Sequence, residues 1–274
     1  MVCHLLDAVA AVETLWDDYL AVGLRKAIAA ELGVSEVQAR ALLAYWAGLH
    51  DIGKVISCFQ SGHTESFLQL TGYPERRGEK KTHDFAVHAW LARILAADNA
   101  RLSPRSCAFQ VAQLLGGHHG KFYSYDFRTA QNPLAFVPEL GDGRWEEQRR
   151  AIVTVVHRLA GSPELPGELS GAGAALASGL VILADWLVSQ DHFLRGRLAH
   201  GLPERGGLES LAKHLDATRA VMPAVLEEAG LSRPEFQRGG FQDDFPQITE
   251  PNGLQRSISE PFSSSRDLVV LQDG

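Results

Sequence analysis

The chain has 274 residues, of which 45% are apolar and 22% charged, enough for one large domain or two small ones with a real core. Its net charge of −7 argues against a large passive nucleic-acid surface, although bound divalent metals would supply positive charge that this count omits. Three cysteines without CxxC spacing favour a reduced, cytoplasmic protein, and the N-terminus lacks the pattern of a signal peptide.

Helical patterning dominates the chain and predicts an all-α fold. Apolar residues recur at steps of three and four between Leu5 and Tyr19, which predicts a helix of about four turns. Ser35 and Gln38 have the spacing of a capping box. A second helix is therefore expected to begin there and to continue up to His50.

A third helix is expected from about residue 83 to 95. Ser103-Pro104 is typical of the N-cap and first residue of a fourth helix, which would end at Gly116-Gly117. Residues 121–143 contain prolines and glycines and are predicted to be irregular. Three tryptophans fall on the apolar stripes of these helices and are assigned to the core: Trp16, Trp46 and Trp90.

Helices are predicted to resume at about 145–159, 171–193 and 208–229. The middle one contains the longest apolar stretch, 171–188, which approaches membrane-spanning length but carries Asp185. We interpret it as a buried helix of a soluble protein and expect no contact with a membrane.

The C-terminal part changes character. Residues 231–266 are rich in proline, glycine and serine, which is typical of a connector. Residues 268–271 form a short apolar run that predicts a strand and is followed by Asp273-Gly274. We expect further chain to follow this point in the full protein.

The most informative feature is the pair His50-Asp51, with Gly53 close behind it. An imidazole and a carboxylate suit Mn, Fe, Co, Ni or Zn better than Ca. Phosphodiester cleavage by two metals requires ions roughly 3.5–4 Å apart that one carboxylate can bridge, and Asp51 is the natural bridge. The ligands must converge from several helix ends, and the candidates are His4, His50, Asp51, His83, His118, His119 and Asp185.

Some residues near this set have competing interpretations. His88 lies five positions after His83 on the same helix, so only one of the two is expected to be a ligand, and we choose His83. Asp84 makes a second His-Asp pair, which we interpret as a decoy. Lys54 is either a solvated lysine or a catalytic group that binds a phosphate oxygen or donates a proton. The remaining histidines are predicted to be on the surface: His63, His157, His192, His200 and His214.

The order of these motifs resembles the HD-type nuclease domain of the CRISPR-associated helicase-nucleases of type I systems. The resemblance spans about residues 1–225, and the double histidine and the Ala-Asp-Trp-x-x-Ser form distinguish it from the wider HD phosphohydrolase superfamily. It is carried by His4, Gly48 to Lys54 with Phe59-Gln60, Thr82-His83-Asp84, Gly116 to Gly120, and Leu183 to Ser189.

The resemblance implies an HD-domain helical bundle over residues 1–229 and a connector over 230–274 that leads into a helicase. It implies one or two divalent metals, with Mn, Fe, Co or Ni preferred over Mg or Zn. One set of implied ligands is His4, His50, Asp51 and Asp185, and the other is Asp51, His83, His118 and His119. His4 lies close to the terminus, where a ligand frays easily.

The implied activity is endo- or exonucleolytic cutting of single-stranded DNA by a monomer. The implied partners are a helicase in cis or in trans and the RNA-guided surveillance complex. No Gly-Lys-Thr or Gly-Lys-Ser occurs, so the chain is not expected to bind ATP through a phosphate loop. Two alternatives stay open: a phosphohydrolase of small nucleotides, and an inactive interaction module.

Overall fold

The computed structural model describes residues 1–62, 73, 81–96, 102–201, 203, 207–231, 246–250 and 252–253. In these ranges the protein is all-α, as predicted, and contains no strand. The strand predicted at 268–271 lies outside them, as does most of the predicted connector. The helices are α1 Val2–Thr14, α2 Val22–Leu32, α3 Glu36–Ala47, α4 Ser57–Gln60, α5 His83–Leu95, α6 Cys107–Leu115, α7 Phe127–Gln131, α8 Pro133–Phe136, α9 Arg144–Leu159, α10 Gly171–Val188, α11 Asp191–Ala199 and α12 Leu208–Glu228.

Helix α1 is the centre of the bundle. It is apolar on nearly every side and packs against α3, α10 and α12, as expected for a helix without a solvent-facing stripe. The chain continues from Thr14 into a π-helical turn, Leu15–Tyr19, so the predicted helix has the right extent but a wider last turn. The three tryptophans assigned to the core are all buried: Trp16, Trp46 and Trp90.

The start of α3 is the capping box predicted at Ser35. The Ser35 hydroxyl accepts from the Gln38 backbone N–H, and the Gln38 side chain accepts from the Ser35 N–H. The prediction for the fourth helix was wrong in its start, because α6 begins at Cys107. The Ser106 hydroxyl donates to the Ser103 carbonyl at 2.7 Å and holds this segment as a turn before the helix.

Helix α10 also differs from its prediction, because it ends at Val188 and α11 begins at Asp191 after an extended Gln190. Among the described residues, α10 is the one helix long and apolar enough to cross a membrane, and half of it is buried. It packs against α1, α2, α3 and α6, which confirms a core helix. The region predicted irregular, 121–143, contains α7, α8 and a 3-10 turn, Pro138–Leu140.

A buried polar network joins α1 to α12. Asp7 accepts from the Thr218 hydroxyl at 2.6 Å and from Nε2 of His214 at 2.8 Å, while Arg197 donates to Nδ1 of His214 at 3.1 Å. The prediction of a surface His214 was therefore wrong, since its partner lies 207 positions away in the sequence. His192 and His200 are exposed as predicted, His157 is half-buried, and His63 lies outside the described residues.

Asp7→Ala is expected to lower the free energy of unfolding by about 3–5 kcal/mol, because it leaves buried His214 and largely buried Arg197 without their shared carboxylate. Urea denaturation measures this loss. The matched control is Glu209→Ala, which breaks an exposed ion pair with Lys213 in the same α12 and should cost about 1 kcal/mol or less. Equal losses in the two variants would contradict a structural role for the buried network.

Candidate metal centre

The structure brings together all seven side chains that the sequence singled out. They come from the first turn of α1, the turn after α3, the start of α5, the turn after α6 and the last turn of α10. These elements pack on one another, so residues more than a hundred positions apart reach a common point. The convergence joins His4, His50, Asp51, His83, His118, His119 and Asp185.

Asp51 stands at the middle of this cluster and is only 1% exposed. Its Oδ2 lies 3.5 Å from Nε2 of both His4 and His50. Its Oδ1 lies 3.2 Å from Nε2 of His83 and 3.6 Å from Nε2 of His118. The two oxygens of one carboxylate therefore face two separate groups of nitrogens.

The first group is completed by Asp185 on α10. Its Oδ1 lies 3.2 Å from Nε2 of His50 and 3.8 Å from Nε2 of His4. The Ser189 hydroxyl, one turn later, donates to the same oxygen at 2.9 Å and holds the carboxylate towards the histidines. Ser189 has no assigned role in the sequence interpretation, although its spacing of four from Asp185 on a helix would have suggested the contact.

The second group is formed by His83, His118 and His119. Nε2 of His119 lies 2.9 Å from Nε2 of His83, and the three side chains can hold one metal ion between them. His4, His50 and Asp51 form the other such set in the described part of the chain. Donor atoms around an ion bound at about 2.0–2.2 Å are about 3.0–3.4 Å apart, so most separations here are close to those a metal needs.

Two histidines are oriented by the helices that precede them. Nδ1 of His50 donates to the Ala47 carbonyl and Nδ1 of His118 to the Leu115 carbonyl, each at 2.6 Å. Both carbonyls belong to the last residue of a helix, and since a carbonyl only accepts, each Nδ1 carries the proton. Each ring is therefore oriented with Nε2, the nitrogen left for a metal, directed into the cluster, and hydrogen bonding through the other ring nitrogen is usual for a metal-binding histidine.

Several buried atoms of the cluster have no hydrogen-bond partner: Nε2 of His50, Nε2 of His118 and Oδ1 of Asp51. Buried polar atoms without partners are rare, because each costs the desolvation free energy that water would have compensated. Lone pairs of nitrogen and oxygen aimed at one another are instead satisfied by a cation. The donor set therefore fits divalent metal ions.

The charges of the cluster support the same conclusion. Burial alone would raise the pKa of Asp51, but His118, His4 and His50 hold it far below its usual range, so the carboxylate is ionised. Burial would lower the pKa of His50, but Asp185 and Asp51 raise it to about 9. A metal that enters the cluster must therefore displace a proton from His50, and metal affinity should rise with pH.

Gly53 allows the loop of Asp51 to approach α5. A Cβ at this position would collide with the backbone carbonyl of His83 and would also lie 2.8 Å from Cγ2 of Val87. The 3-10 turn Ile52–Lys54 packs directly on α5 for this reason. The glycine that follows the His-Asp pair thus brings His83 within reach of Asp51.

Lys54 lies at the mouth of the cluster, and its ammonium is paired with Oδ2 of Asp51. The Gln60 amide donates to the Lys54 carbonyl at 2.7 Å, and the Lys54 side chain is partly exposed. Lys54 thus contacts the central carboxylate while part of its side chain faces solvent, and its role stays a prediction.

His88 and Asp84 lie outside the cluster, as predicted. His88 is fully buried, stacks on the Tyr125 ring at 3.7 Å between centroids and contacts the Phe109 ring edge-on. Asp84 accepts from the Phe85 backbone N–H at 2.8 Å at the start of α5. His83 is thus the histidine of this helix that reaches Asp51.

We expect His88 to make stability depend on pH. Burial lowers the pKa of His88 to about 3, whereas the unfolded residue titrates near about 6.5. As pH falls below about 6.5, His88 becomes protonated in the unfolded chain but stays neutral in the folded one. The free energy of unfolding should therefore drop by about 1.4 kcal/mol by about pH 5.5. Urea denaturation across this range, compared between wild type and His88→Leu, measures the difference.

The same histidine provides a test of the ligand assignment. His88→Ala should retain bound metal, because its ring lies away from Asp51 and stacks on Tyr125. Loss of metal from a variant that remains folded would show that the wrong histidine of α5 was chosen.

An all-helical bundle that gathers a His-Asp pair, further histidines and a distal aspartate defines a domain of the HD class. Comparison with known families agrees with this class, since the family described as "Cas3, HD domain" matches residues 1–194. The chain belongs to this family.

Individual relatives show the same likeness. The CRISPR-associated endonuclease/helicase Cas3 of Thermus thermophilus is 29% identical over 258 residues, which cover 90% of this chain and 26% of that protein. The crystal structure of T. fusca Cas3-ATP has a TM-score of 0.79 and 39% identity, over 94% of this chain and 29% of the other. A chain in the structure of a "CRISPR RNA-guided surveillance complex, pre-nicking" has a TM-score of 0.74 and 37% identity. The match covers 96% of this chain and 29% of the other. The chain therefore spans between a quarter and a third of the length of these proteins.

Proposed function

We propose that this chain is a metal-dependent nuclease that hydrolyses phosphodiester bonds of single-stranded DNA in type I CRISPR interference. The observation that carries this proposal is Asp51, whose two buried oxygens face two separate groups of histidine nitrogens. A carboxylate in this position can bridge two ions, which is the arrangement used to cleave phosphodiesters. Family membership supports the class of reaction.

The proposed ligands follow the two groups. His4, His50, Asp51 and Asp185 would hold one divalent ion, and Asp51, His83, His118 and His119 a second, with Mn, Fe, Co or Ni preferred over Mg or Zn. When bound, such ions make a water nucleophilic at neutral pH and neutralise the charge that develops on the phosphate.

The remaining residues of the site either orient the metal ligands or bind the substrate. Ser189 holds Asp185, and the carbonyls of Ala47 and Leu115 hold the rings of His50 and His118. We propose that Lys54 acts on the substrate, either through a phosphate oxygen or as a proton donor to the leaving oxygen, because its ammonium stands at the mouth beside Asp51. These groups are positioned before substrate binds, which lowers the cost of reaching the reactive geometry.

The cavity over the cluster favours a polymer substrate over a small nucleotide. It has a volume of about 330 Å³, and no arginine is among the described residues that line it. A phosphohydrolase of free nucleotides would need an enclosed pocket and a cationic clamp for several phosphates. The lining residues are Met1, His4, Asp51, Lys54, Phe59, Gln60, Ser189 and Leu194.

The partners are proposed from the relatives. One relative is a nuclease fused to a helicase, and a chain similar to this one occurs in an RNA-guided surveillance complex. We propose that this chain acts as a monomer, that a helicase in cis or in trans supplies its single-stranded DNA, and that such a complex recruits it. Three free cysteines, of which Cys3 and Cys107 are buried, support a cytoplasmic location.

The test is cleavage of circular single-stranded DNA by metal-stripped protein with and without added Mn²⁺. Nicking that depends on metal supports the nuclease and shows that no free end is needed. Phosphate release from a panel of nucleotides, without nicking, would replace the proposal with the small-molecule hydrolase. Inactivity in both assays, with metal bound, would favour the inactive module.

A further inference from the structure

Three aromatic side chains next to the cluster are exposed to solvent. Phe122 is 59% exposed, Tyr123 46% and Trp186 63%. Trp186 directly follows Asp185, while Phe122 and Tyr123 come three and four residues after His119. The other four tryptophans are buried, and in the described part of the chain the one other exposed aromatic ring is Phe136 on α8. Exposed large apolar groups gathered at one place indicate a binding surface.

The rings are held beside the cluster by the local backbone. The Phe122 ring packs so closely on Gly117 that a Cβ at this glycine would collide with the ring. Gly117 immediately precedes His118. The Tyr123 ring lies 6.2 Å from the Tyr125 ring, and the Lys121 ammonium lies 5.0 Å from its centroid. The loop therefore presents two rings and one cation next to the second group of histidines.

A groove connects this loop to α10. Phe122 and Tyr123 form one wall, the face of α10 with Ser178 and Ile182 forms the other, and the volume is about 640 Å³. Trp186 lies one helical turn beyond Ile182 and so continues the same side of α10. The neighbouring Asp185 turns into the cluster. The groove thus follows α10 up to the turn that carries a proposed metal ligand.

The charge of the protein indicates what this surface would bind. At a net charge of −7, with Lys121 as the cation of the loop and Lys54 at the cluster, phosphate attraction can supply only a small part of nucleic-acid affinity. Stacking of bases on aromatic rings needs no net charge and tolerates any sequence. Unpaired bases of a single strand can reach such rings, whereas the bases of a duplex are already stacked on one another.

We infer that Phe122, Tyr123 and Trp186 form a stacking platform that binds the bases of single-stranded DNA beside the metal cluster. The inference deepens the proposed function and rests on it for the identity of the substrate. Lys121 contacts a phosphate of the strand stacked on the neighbouring rings. Binding is then governed by stacking and depends weakly on salt. A plot of the logarithm of the association constant against the logarithm of salt concentration should have a slope of about −0.7 to −1.4, which corresponds to one or two contacted phosphates.

Trp186 provides the test, because the other four tryptophans are buried and should not respond to a ligand on the surface. Metal-free protein is titrated with an oligothymidylate and, as the matched control, with an abasic oligonucleotide of equal length that has the same phosphates without bases. We expect the oligothymidylate to quench Trp186 fluorescence and the abasic strand to leave it unchanged. Equal quenching by both strands, or by neither, would overturn the platform.

Variants separate this inference from the proposed function. Phe122→Ala and Trp186→Ala, checked for an unchanged melting temperature, should each weaken oligothymidylate binding by at least about fivefold, measured by fluorescence anisotropy of a labelled strand. Normal binding by both folded variants would overturn the platform even if wild-type protein nicks DNA. Base-dependent quenching in a protein that never cleaves DNA would refute the nuclease while supporting the platform.

Discussion

Asp51→Asn is expected to lower the rate of metal-dependent DNA nicking by more than about 100-fold. Asparagine keeps the shape of the side chain but removes the charge that faces four imidazoles, and among the described residues Asp51 alone has oxygens that face both groups of nitrogens. Removing a residue that only orients a metal ligand typically costs about 10–100-fold, so loss of the bridging carboxylate should exceed about 100-fold. The rate is measured on circular single-stranded DNA with Mn²⁺, and metal content is measured after dialysis.

The matched control for this prediction is Asp84→Asn. Asp84 also follows a histidine, but its carboxylate accepts a backbone N–H at the start of α5. This variant should keep its metal and nick DNA within a few-fold of wild type. Wild-type cleavage by folded Asp51→Asn would reject the proposed site, and equal losses in both variants would show that the assay reports general damage.

Gly53→Ala is expected to cost about 3 kcal/mol of stability, the upper end of the range for overpacking, because the new methyl group meets the backbone of α5 and not a movable side chain. Relief of that collision requires His83 and Asp51 to move apart. A displacement of about 1 Å at a reacting site can cost about 100-fold in rate. Urea denaturation and the nicking assay measure the two effects.

Gly196→Ala is the control for this second prediction. Gly196 lies within α11, and nothing stands within 4 Å of a Cβ built there. Alanine should stabilise this helix by up to about 1 kcal/mol and leave nicking unchanged. If Gly53→Ala were as stable and as active as Gly196→Ala, then the close approach of the two backbones would not be needed to form the site.

The two predictions depend on different kinds of information. The importance of Asp51 could be inferred from residue types along the sequence, because His50-Asp51 is followed by Gly53 and accompanied by further histidines and Asp185. The dipeptide alone would not suffice, since His83-Asp84 has it as well. The importance of Gly53 depends on its distance from His83, which lies thirty positions further along the chain. A glycine after a motif suggests a close approach of the backbone, but the sequence does not say what is approached.

The amino-acid sequence was sufficient to predict the helical class, most helix positions and the members of the cluster. Apolar spacing, the Ser35 capping box and the His-Asp pair are local signals that act within one or two helical turns. Such signals need no knowledge of distant residues. This is why the starts of α3 and α5 and the core position of α10 were predicted correctly.

Tertiary contacts decided the rest. Ser106 replaced Ser103 at the start of α6 through its own hydrogen bond, and His214 became buried because Asp7 reaches it from the other end of the chain. Five packed elements together set the geometry of the site. They determine where the imidazole nitrogens point and how the two Asp51 oxygens face different groups of nitrogens. Side-chain geometry of this kind is set by packing between residues far apart in sequence, and local residue patterns contain no information about it.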